Sequence, residues 1–192
     1  MMGRLIYIMG PSGAGKDALL QGLESLWQAR GCRIARRVIT RPIDTSEPNT
    51  VPVTLTEFLE MEARDTLAMA WRANGLAYGV LREIDDKLEV GCDVLVNGSR
   101  AYLPEASKRY SNLVPVLLTV DHDILRQRLH QRGRETEEQI EARMARNRMF
   151  TSLTLQAADK TPNRIFVVDN SCGIDMAIQT VATFLDQGPV CA

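Results

Sequence analysis

The sequence predicts an α/β fold, a parallel sheet with helices on both faces. Two observations carry that reading. Short apolar runs of strand length alternate with longer runs of helical period along most of the chain. The first strand passes through a glycine-rich turn directly into a helix, as in strand–loop–helix units that hold phosphates. The 192 residues, 45% of them hydrophobic, suffice for one sizeable core.

Leu5–Met9 is a short, wholly apolar run and reads as a buried strand. Gly10-Pro11-Ser12-Gly13-Ala14-Gly15-Lys16-Asp17 follows, and then a helix over Lys16–Ala29, with Leu19, Leu20, Leu23 and Leu26 at helical spacing. Ile34–Ile39 reads as the second strand. Residues 42–80 break the alternation. They hold Pro42, Pro48 and Pro52, a helix near Thr56–Arg64 with a Thr54/Glu57 capping box, and two extended runs around Asn74-Gly75. Asn-Gly between extended runs signals a hairpin. This stretch reads as a helix-plus-hairpin subdomain inserted over the strand ends, where ligands of open α/β sheets bind.

The alternation then resumes. A helix over Ile84–Val90 stops at Gly91, which suits a left-handed C-cap. Strand Val94–Asn97, helix Leu103–Tyr110 and strand Val114–Val120 follow. Asp121 can cap a helix over Ile124–Arg132, and Thr136 with Gln139 forms a capping box for Glu137–Arg148. Strand Arg164–Val168 and helix Ile174–Leu185 complete the chain, read as one domain over 1–192.

The loop is G-x-x-x-x-G-K-[ST] with Asp17 in place of the final hydroxyl. Gly10, Gly13 and Gly15 permit backbone shapes in which N–H groups converge on one point. The helix start adds partial positive charge there, and Lys16 brings a full charge to the β/γ-phosphates of a nucleotide. The second constellation is residues 126–148, with Arg126, Arg128, Arg132, Arg134, Arg143, Arg146 and Arg148 and no lysine. Arginine suits bidentate phosphate contacts and stacking on a base, so the segment reads as a lid over a nucleotide. The interleaved Glu135, Glu137, Glu138 and Glu141 equally suit a solvated helix pair, which accounts for part of the set.

A formal net charge of −1 argues against a general nucleic-acid or membrane surface. Cys32, Cys92, Cys172 and Cys191 have no C-x-x-C spacing, and only His122 and His130 stand beside them as metal ligands. Incidental thiols in a reducing compartment are expected, in a cytoplasmic protein without a signal peptide or an apolar span. The expected partners are small-molecule substrates.

Several motifs together resemble the guanylate-kinase-like branch of the nucleoside monophosphate kinases. They are the loop itself, Ile39-Thr40-Arg41-Pro42, Gly75-Leu76-Ala77-Tyr78-Gly79, Gly91-Cys92-Asp93-Val94-Leu95-Val96, Leu125-Arg126-Gln127-Arg128-Leu129 with Arg132-Gly133, and Arg143. Within that branch, Gly15-Lys16-Asp17, Trp71-Arg72-Ala73-Asn74-Gly75 and Asp93-Val94-Leu95-Val96-Asn97-Gly98-Ser99-Arg100 are similar to the ribose 1,5-bisphosphate phosphokinases. The resemblance implies a P-loop kinase fold that uses ATP and Mg²⁺ to phosphorylate the anomeric phosphate of ribose 1,5-bisphosphate. It implies a nucleotide site at Gly10–Asp17 with Asp169 and Asn170 on the adenine side. Lys16, Arg128, Arg132 and Arg143 would carry catalytic charge, and Arg37, Arg41, Arg72, Tyr78, Asn97 and Arg100 would hold the acceptor.

The departures from guanylate kinase point the same way. Its guanine-reading positions fall on Arg37, Met69 or a neighbour, and Val80. Apolar groups there would leave a guanine edge unpaired, at about 1–3 kcal/mol per group. Its second phosphate-binding arginine falls on Asp44, and a phosphate-touching tyrosine on Thr50. The strand that ends in Asp-x-Asp in that branch ends here in Asn97-Gly98-Ser99. Asp17 therefore has two readings: a carboxylate moved across the Mg²⁺ site, or a residue that only caps the helix. Three other functions fit parts of the pattern: a guanylate kinase, a non-catalytic binding module of the same branch, and a sugar kinase. A sugar kinase would need a general base for a hydroxyl acceptor.

Overall fold

The computed structural model describes residues 2–41, 49–133, 135–158 and 164–187, without the side chains of Arg132 and residues 149–158. Pro42, Asp44, Pro48, Arg134 and Cys191 lie outside the described residues. The main sheet has five parallel strands in the order β2-β7-β1-β8-β9: Arg33–Ile34, Val94–Asn97, Leu5–Met9, Leu113–Thr119 and Phe166–Asp169. All five residues of β1 are fully buried, as a central strand covered on both sides requires. Its side chains alternate between two cores. Leu5, Tyr7 and Met9 face one, beside Ile84, Leu88, Leu103 and Ala106. Ile6 and Ile8 face the other, beside Leu19, Leu23, Val181 and Leu185. Helices α1 (Lys16–Trp27) and α7 (Ile174–Gln187) cover the second face, and α3 (Glu83–Glu89) and α4 (Leu103–Arg109) the first. In α1 the inward set is Leu19, Leu20, Leu23 and Trp27, and Leu26 is half exposed.

The expected strand over Ile34–Ile39 is two strands. At Ala35 the chain leaves the main sheet, with Ala35 N–H donating to the Leu95 carbonyl, and at Arg37 it enters a second sheet, with Arg37 N–H donating to the Asn49 carbonyl. The second sheet has the order β4-β3-β6-β5: Thr50–Pro52, Arg37–Ile39, Leu76–Leu81 and Leu67–Ala73. It encloses the expected hairpin and extends it by two strands. Asn74 and Gly75 take φ 51° and 74°, the doubly left-handed pair of a tight two-residue hairpin turn. Helix α2 (Leu55–Ala63) opens at a complete Thr54/Glu57 capping box and buries Phe58 against Val38, Leu67 and Ala77.

Asp121 caps α5 (His122–Arg132), accepting from the N–H groups of Asp123 and Ile124. Leu125 and Leu129 of α5 pack on Ile140 and Met144 of α6. Helix α6 runs over Glu137–Ala158, well past the expected end at Arg148.

Candidate active site

The glycine loop leaves the buried end of β1 and becomes the N-terminus of α1. Gly15 stands at the N-cap with φ 95°, and Gly13 has φ 96°. A Cβ on Gly15 would lie 2.6 Å from Asn170 Nδ2, so backbone shape and close packing both require glycine there. Asn170, buried just past β9, explains the close approach. Its Nδ2 donates to the Ala14 carbonyl at 2.7 Å, and its N–H to the Thr119 carbonyl. The crest of the loop is thereby tied to the ends of β8 and β9. The ammonium of Lys16 donates to the Gly10 and Pro11 carbonyls, both at 2.9 Å, which holds it across the loop.

Asp17 lies in the first turn of α1, and no side chain caps that helix. Its Oδ1 accepts from Asn97 Nδ2 at 3.0 Å. The two positions singled out on opposite sides of a metal site are thus in direct contact. They line one narrow slot with Arg37 and Thr50. One carboxylate and one amide oxygen beside a phosphate loop fit Mg²⁺, which takes few protein ligands and keeps waters and substrate oxygens. Among the described residues no group of three His, Cys, Asp or Glu gathers elsewhere as a metal site.

On the donor side, a cavity of about 410 Å³ is lined by Gly13, Gly15, Ala18, Arg128, Gln131, Asn170 and Ile174. Arg128 reaches across it to the Asn170 carbonyl at 2.9 Å. Asn170 Oδ1 is buried there without a protein hydrogen bond. Asp169 instead accepts from Ser171, both N–H and hydroxyl, and shapes the turn.

On the acceptor side, strand parity sorts the expected residues. Register pairs Trp71 with Tyr78, and Arg37 with Val80. Trp71 stacks on Tyr78, and Arg37 lies 6.0 Å over the same ring, so these three share the face toward the main sheet. Arg72 pairs with Ala77 on the opposite face. There it binds Glu62 at 2.5 Å and lies over Phe58. Arg72 and Tyr78 therefore lie on opposite faces of this sheet. Arg72→Ala is expected to leave the Michaelis constant for the acceptor within about twofold and to cost roughly 1 kcal/mol of stability or less. Steady-state kinetics and a melting curve check this. Arg41 and Arg72 together line a separate cavity of about 930 Å³ between the hairpin turn and the start of α2, away from Arg37.

Arg100 follows β7 in a short 3-10 turn and reaches Asn147 Oδ1 of α6 at 3.5 Å. Burial lowers its pKa from the ordinary guanidinium value. Arg143, one turn before Asn147, pairs with Glu135. Arg126 pairs with Glu137 and Glu141 on an exposed face, so the solvated reading holds for it. The side chain of Arg132 lies outside the described residues.

Two residues escaped the sequence reading. The Tyr7 phenol, on the buried strand β1, donates to the Ser99 carbonyl and accepts from Ser99 N–H. Burial raises its pKa. Tyr7 thus pins the turn that carries Asn97. The signal was a lone phenol in an apolar strand, which must find a partner. Asn147 had no such signal, since an amide among arginines reads as solvated surface.

A phosphate loop on a five-stranded parallel sheet, with an arginine-bearing helix pair above it, defines a P-loop kinase. No protein-family model matches the chain. It is 47% identical over the full length of both chains to the ribose 1,5-bisphosphate phosphokinase PhnN of Pseudomonas paraeruginosa (strain DSM 24068 / PA7). It is 53% identical over 77% of its length, and 80% of the relative's, to the protein of that name from Azotobacter vinelandii (strain DJ / ATCC BAA-1303). Among solved structures, the guanylate kinase of Anaplasma phagocytophilum superposes with a TM-score of 0.69 at 16% identity, covering 100% of this chain and 88% of that one. That likeness supports the fold. The chain belongs to the ribose 1,5-bisphosphate phosphokinase family.

Proposed function

We propose that this protein transfers the γ-phosphoryl group of ATP to the anomeric phosphate of ribose 1,5-bisphosphate, giving 5-phosphoribosyl 1-diphosphate and ADP. The observation that carries this reading is the end-to-end match at 47% identity to a relative with that activity in its name. The cleft supports it. Donor cavity, glycine loop and Asp17–Asn97 slot lie in sequence along the end of the main sheet, with Arg37 and Tyr78 facing them.

The acceptor is itself a phosphate, with a second pKa of about 6, so at pH 7 it is already mostly the nucleophilic dianion. No general base is required. His122 and His130 accordingly sit on α5, against Arg148 and Glu137. What the protein must supply is alignment and charge. The loop holds the donor phosphates, and Lys16 neutralises the bridging and terminal oxygens. Asn170 lies on the adenine side of the donor cavity, and Arg128, which also lines it, brings charge to the donor. Arg37, Tyr78, Asn97 and Arg100 hold the acceptor in line, and Arg41 serves a charged end farther out. Asp17 and Asn97 would hold Mg²⁺, which supplies charge neutralisation between the phosphates when bound. Arg132 and Arg143 complete the charge on closure of the α5–α6 pair. The reading includes a cytoplasmic reaction that serves phosphonate breakdown. Among the described residues no helix is long and apolar enough to cross a membrane.

The test is a product assay with purified protein, ATP, Mg²⁺ and a panel of acceptors. Ribose 1,5-bisphosphate is expected to give 5-phosphoribosyl 1-diphosphate. Preference for GMP would remove the substrate assignment and leave the kinase assignment. Within this scheme Arg143→Ala is expected to lower kcat by roughly 10–100-fold with a smaller change in KM, because its charge acts in the closed, transferring state. Wild-type kinetics would return Arg143 to the solvated face.

A further inference from the structure

The cleft face of the second sheet carries an aromatic cluster of which the reaction as described uses only Tyr78. Trp71 on β5 stacks on Tyr78 of β6, with ring centroids 5.6 Å apart and planes 5° from parallel. The other neighbour of the indole comes from the main sheet. Tyr102, in the 3-10 turn after β7, lies 5.6 Å from Trp71 at 31°. The indole is therefore held from both sides of the cleft. Next to it on the same sheet face, Met69 and Val80 are buried and apolar and belong to the main core. From Met69 to Tyr102 that wall is apolar and aromatic, and its polar groups are the indole N–H of Trp71 and the two phenols. The charged and amide groups lie farther along, in a narrow slot at Arg37, Thr50, Asp17 and Asn97.

We propose that Trp71, clamped between Tyr78 and Tyr102, is a size filter of the acceptor site: it fills the part of the cleft where a planar base would lie and confines acceptors to small sugar phosphates. The inference rests on the kinase reading above and names what sets its specificity. The physical basis is exclusion. A flat base could enter only by displacing an indole that stacks on one ring and meets a second at a tilt, and it would then face Met69 and Val80 with its polar edge unpaired. A furanose phosphate needs only hydroxyl and anion partners, and Arg37, which lies over the Tyr78 ring, is a cation of that kind beside the indole.

The experiment measures competition by GMP and AMP against ribose 1,5-bisphosphate at saturating ATP, in the wild type, Trp71→Ala and Trp71→Phe. The wild type and Trp71→Phe are expected to be insensitive to millimolar concentrations of either nucleotide. Trp71→Ala is expected to show inhibition competitive with the acceptor, its inhibition constant at least about tenfold lower than in the wild type. If Trp71→Ala does not fold, as judged by circular dichroism and ATP binding, Tyr102→Ala is read instead. It releases the indole from the main-sheet side and is expected to move in the same direction. A folded variant with the wild-type inhibition constant overturns the filter. So does a wild type that GMP already inhibits competitively. If the wild type fails to phosphorylate ribose 1,5-bisphosphate, the reaction reading has failed separately. The filter is then read by titrating GMP calorimetrically into wild type and Trp71→Ala, where equal affinities overturn it and a tenfold gain supports it.

Discussion

Lys16→Ala is expected to lower turnover by about 10²–10³-fold or more while the protein stays folded. The ammonium sits on the Gly10 and Pro11 carbonyls and is only half-buried, so its removal opens no core cavity. Two carbonyls lose a donor at a loop that water can reach. That costs about 1 kcal/mol, or roughly 2–4 °C in Tm for a chain of this size. The kinetic loss is large because the same charge faces the phosphates in the transition state, where little else replaces it. Phosphoryl transfer to a dianion is slow mainly through charge repulsion, and a fixed cation between donor and acceptor opposes that repulsion directly. Lys16→Arg keeps the charge but not the compact point geometry and is expected to recover only part of the rate. Thermal melting with single-turnover kinetics separates the two effects. A normal Tm together with full activity would remove the loop from the mechanism.

What the sequence disclosed follows from where its signals are local. The loop, β1 and α1 were legible because glycine spacing, an apolar run and a helical stripe are contiguous, and each has one physical solution. The caps at Thr54, Asp121 and Thr136 were legible for the same reason. The division of Ile34–Ile39 was not. The run is uniformly strand-like, and the handover at Ala35–Arg37 depends on which strand lies alongside, Val94–Asn97 or Thr50–Pro52. Helix α6 outran its reading because nothing in residues 149–158 is a stop signal, and the arginines had drawn the boundary at Arg148. Arg72 is the instructive case. A two-residue Asn-Gly turn fixes the register of both strands, pairing Ala73 with Leu76, Arg72 with Ala77 and Trp71 with Tyr78. Parity alone puts Arg72 behind the sheet once Tyr78 is placed in front. The motif was legible, and its geometric consequence was within reach of the same residues. The contact of Asp17 with Asn97 was legible as an idea about charge. The hydrogen bond itself needed the fold, since the residues are 80 positions apart and meet only because β7 lies next to β1.

That contact makes the Asp17 prediction sharper. Asn97 donates to Asp17, so an amide and a carboxylate share one hydrogen bond at the mouth of the loop, and exchanging them would keep one negative charge at one place. Asp17→Asn removes the charge. It is expected to raise the Mg²⁺ concentration for half-maximal activity by about tenfold or more, and to raise the KM for ribose 1,5-bisphosphate less. It also removes a carboxylate from the first turn of α1, worth about 0.3–1 kcal/mol, so the Tm is expected to fall slightly. Asp17→Ser restores the usual loop ending but leaves Asn97 without a carboxylate opposite, and is expected to be impaired at low Mg²⁺. The double change Asp17→Ser with Asn97→Asp puts the charge back from the strand side and is expected to recover part of the rate. Recovery by the second substitution is the result that a helix-stabilising role cannot produce, because Asn97 belongs to β7 and contributes nothing to the start of α1. None of these variants is expected to gain GMP activity, since Arg37, Met69 and Val80 are unchanged on the opposite wall. Mg²⁺ titrations of the four proteins at saturating ATP decide the matter. If Asp17→Ser alone runs at the wild-type rate at low Mg²⁺, the charge has not been relocated. Asp17 then serves only the helix it begins.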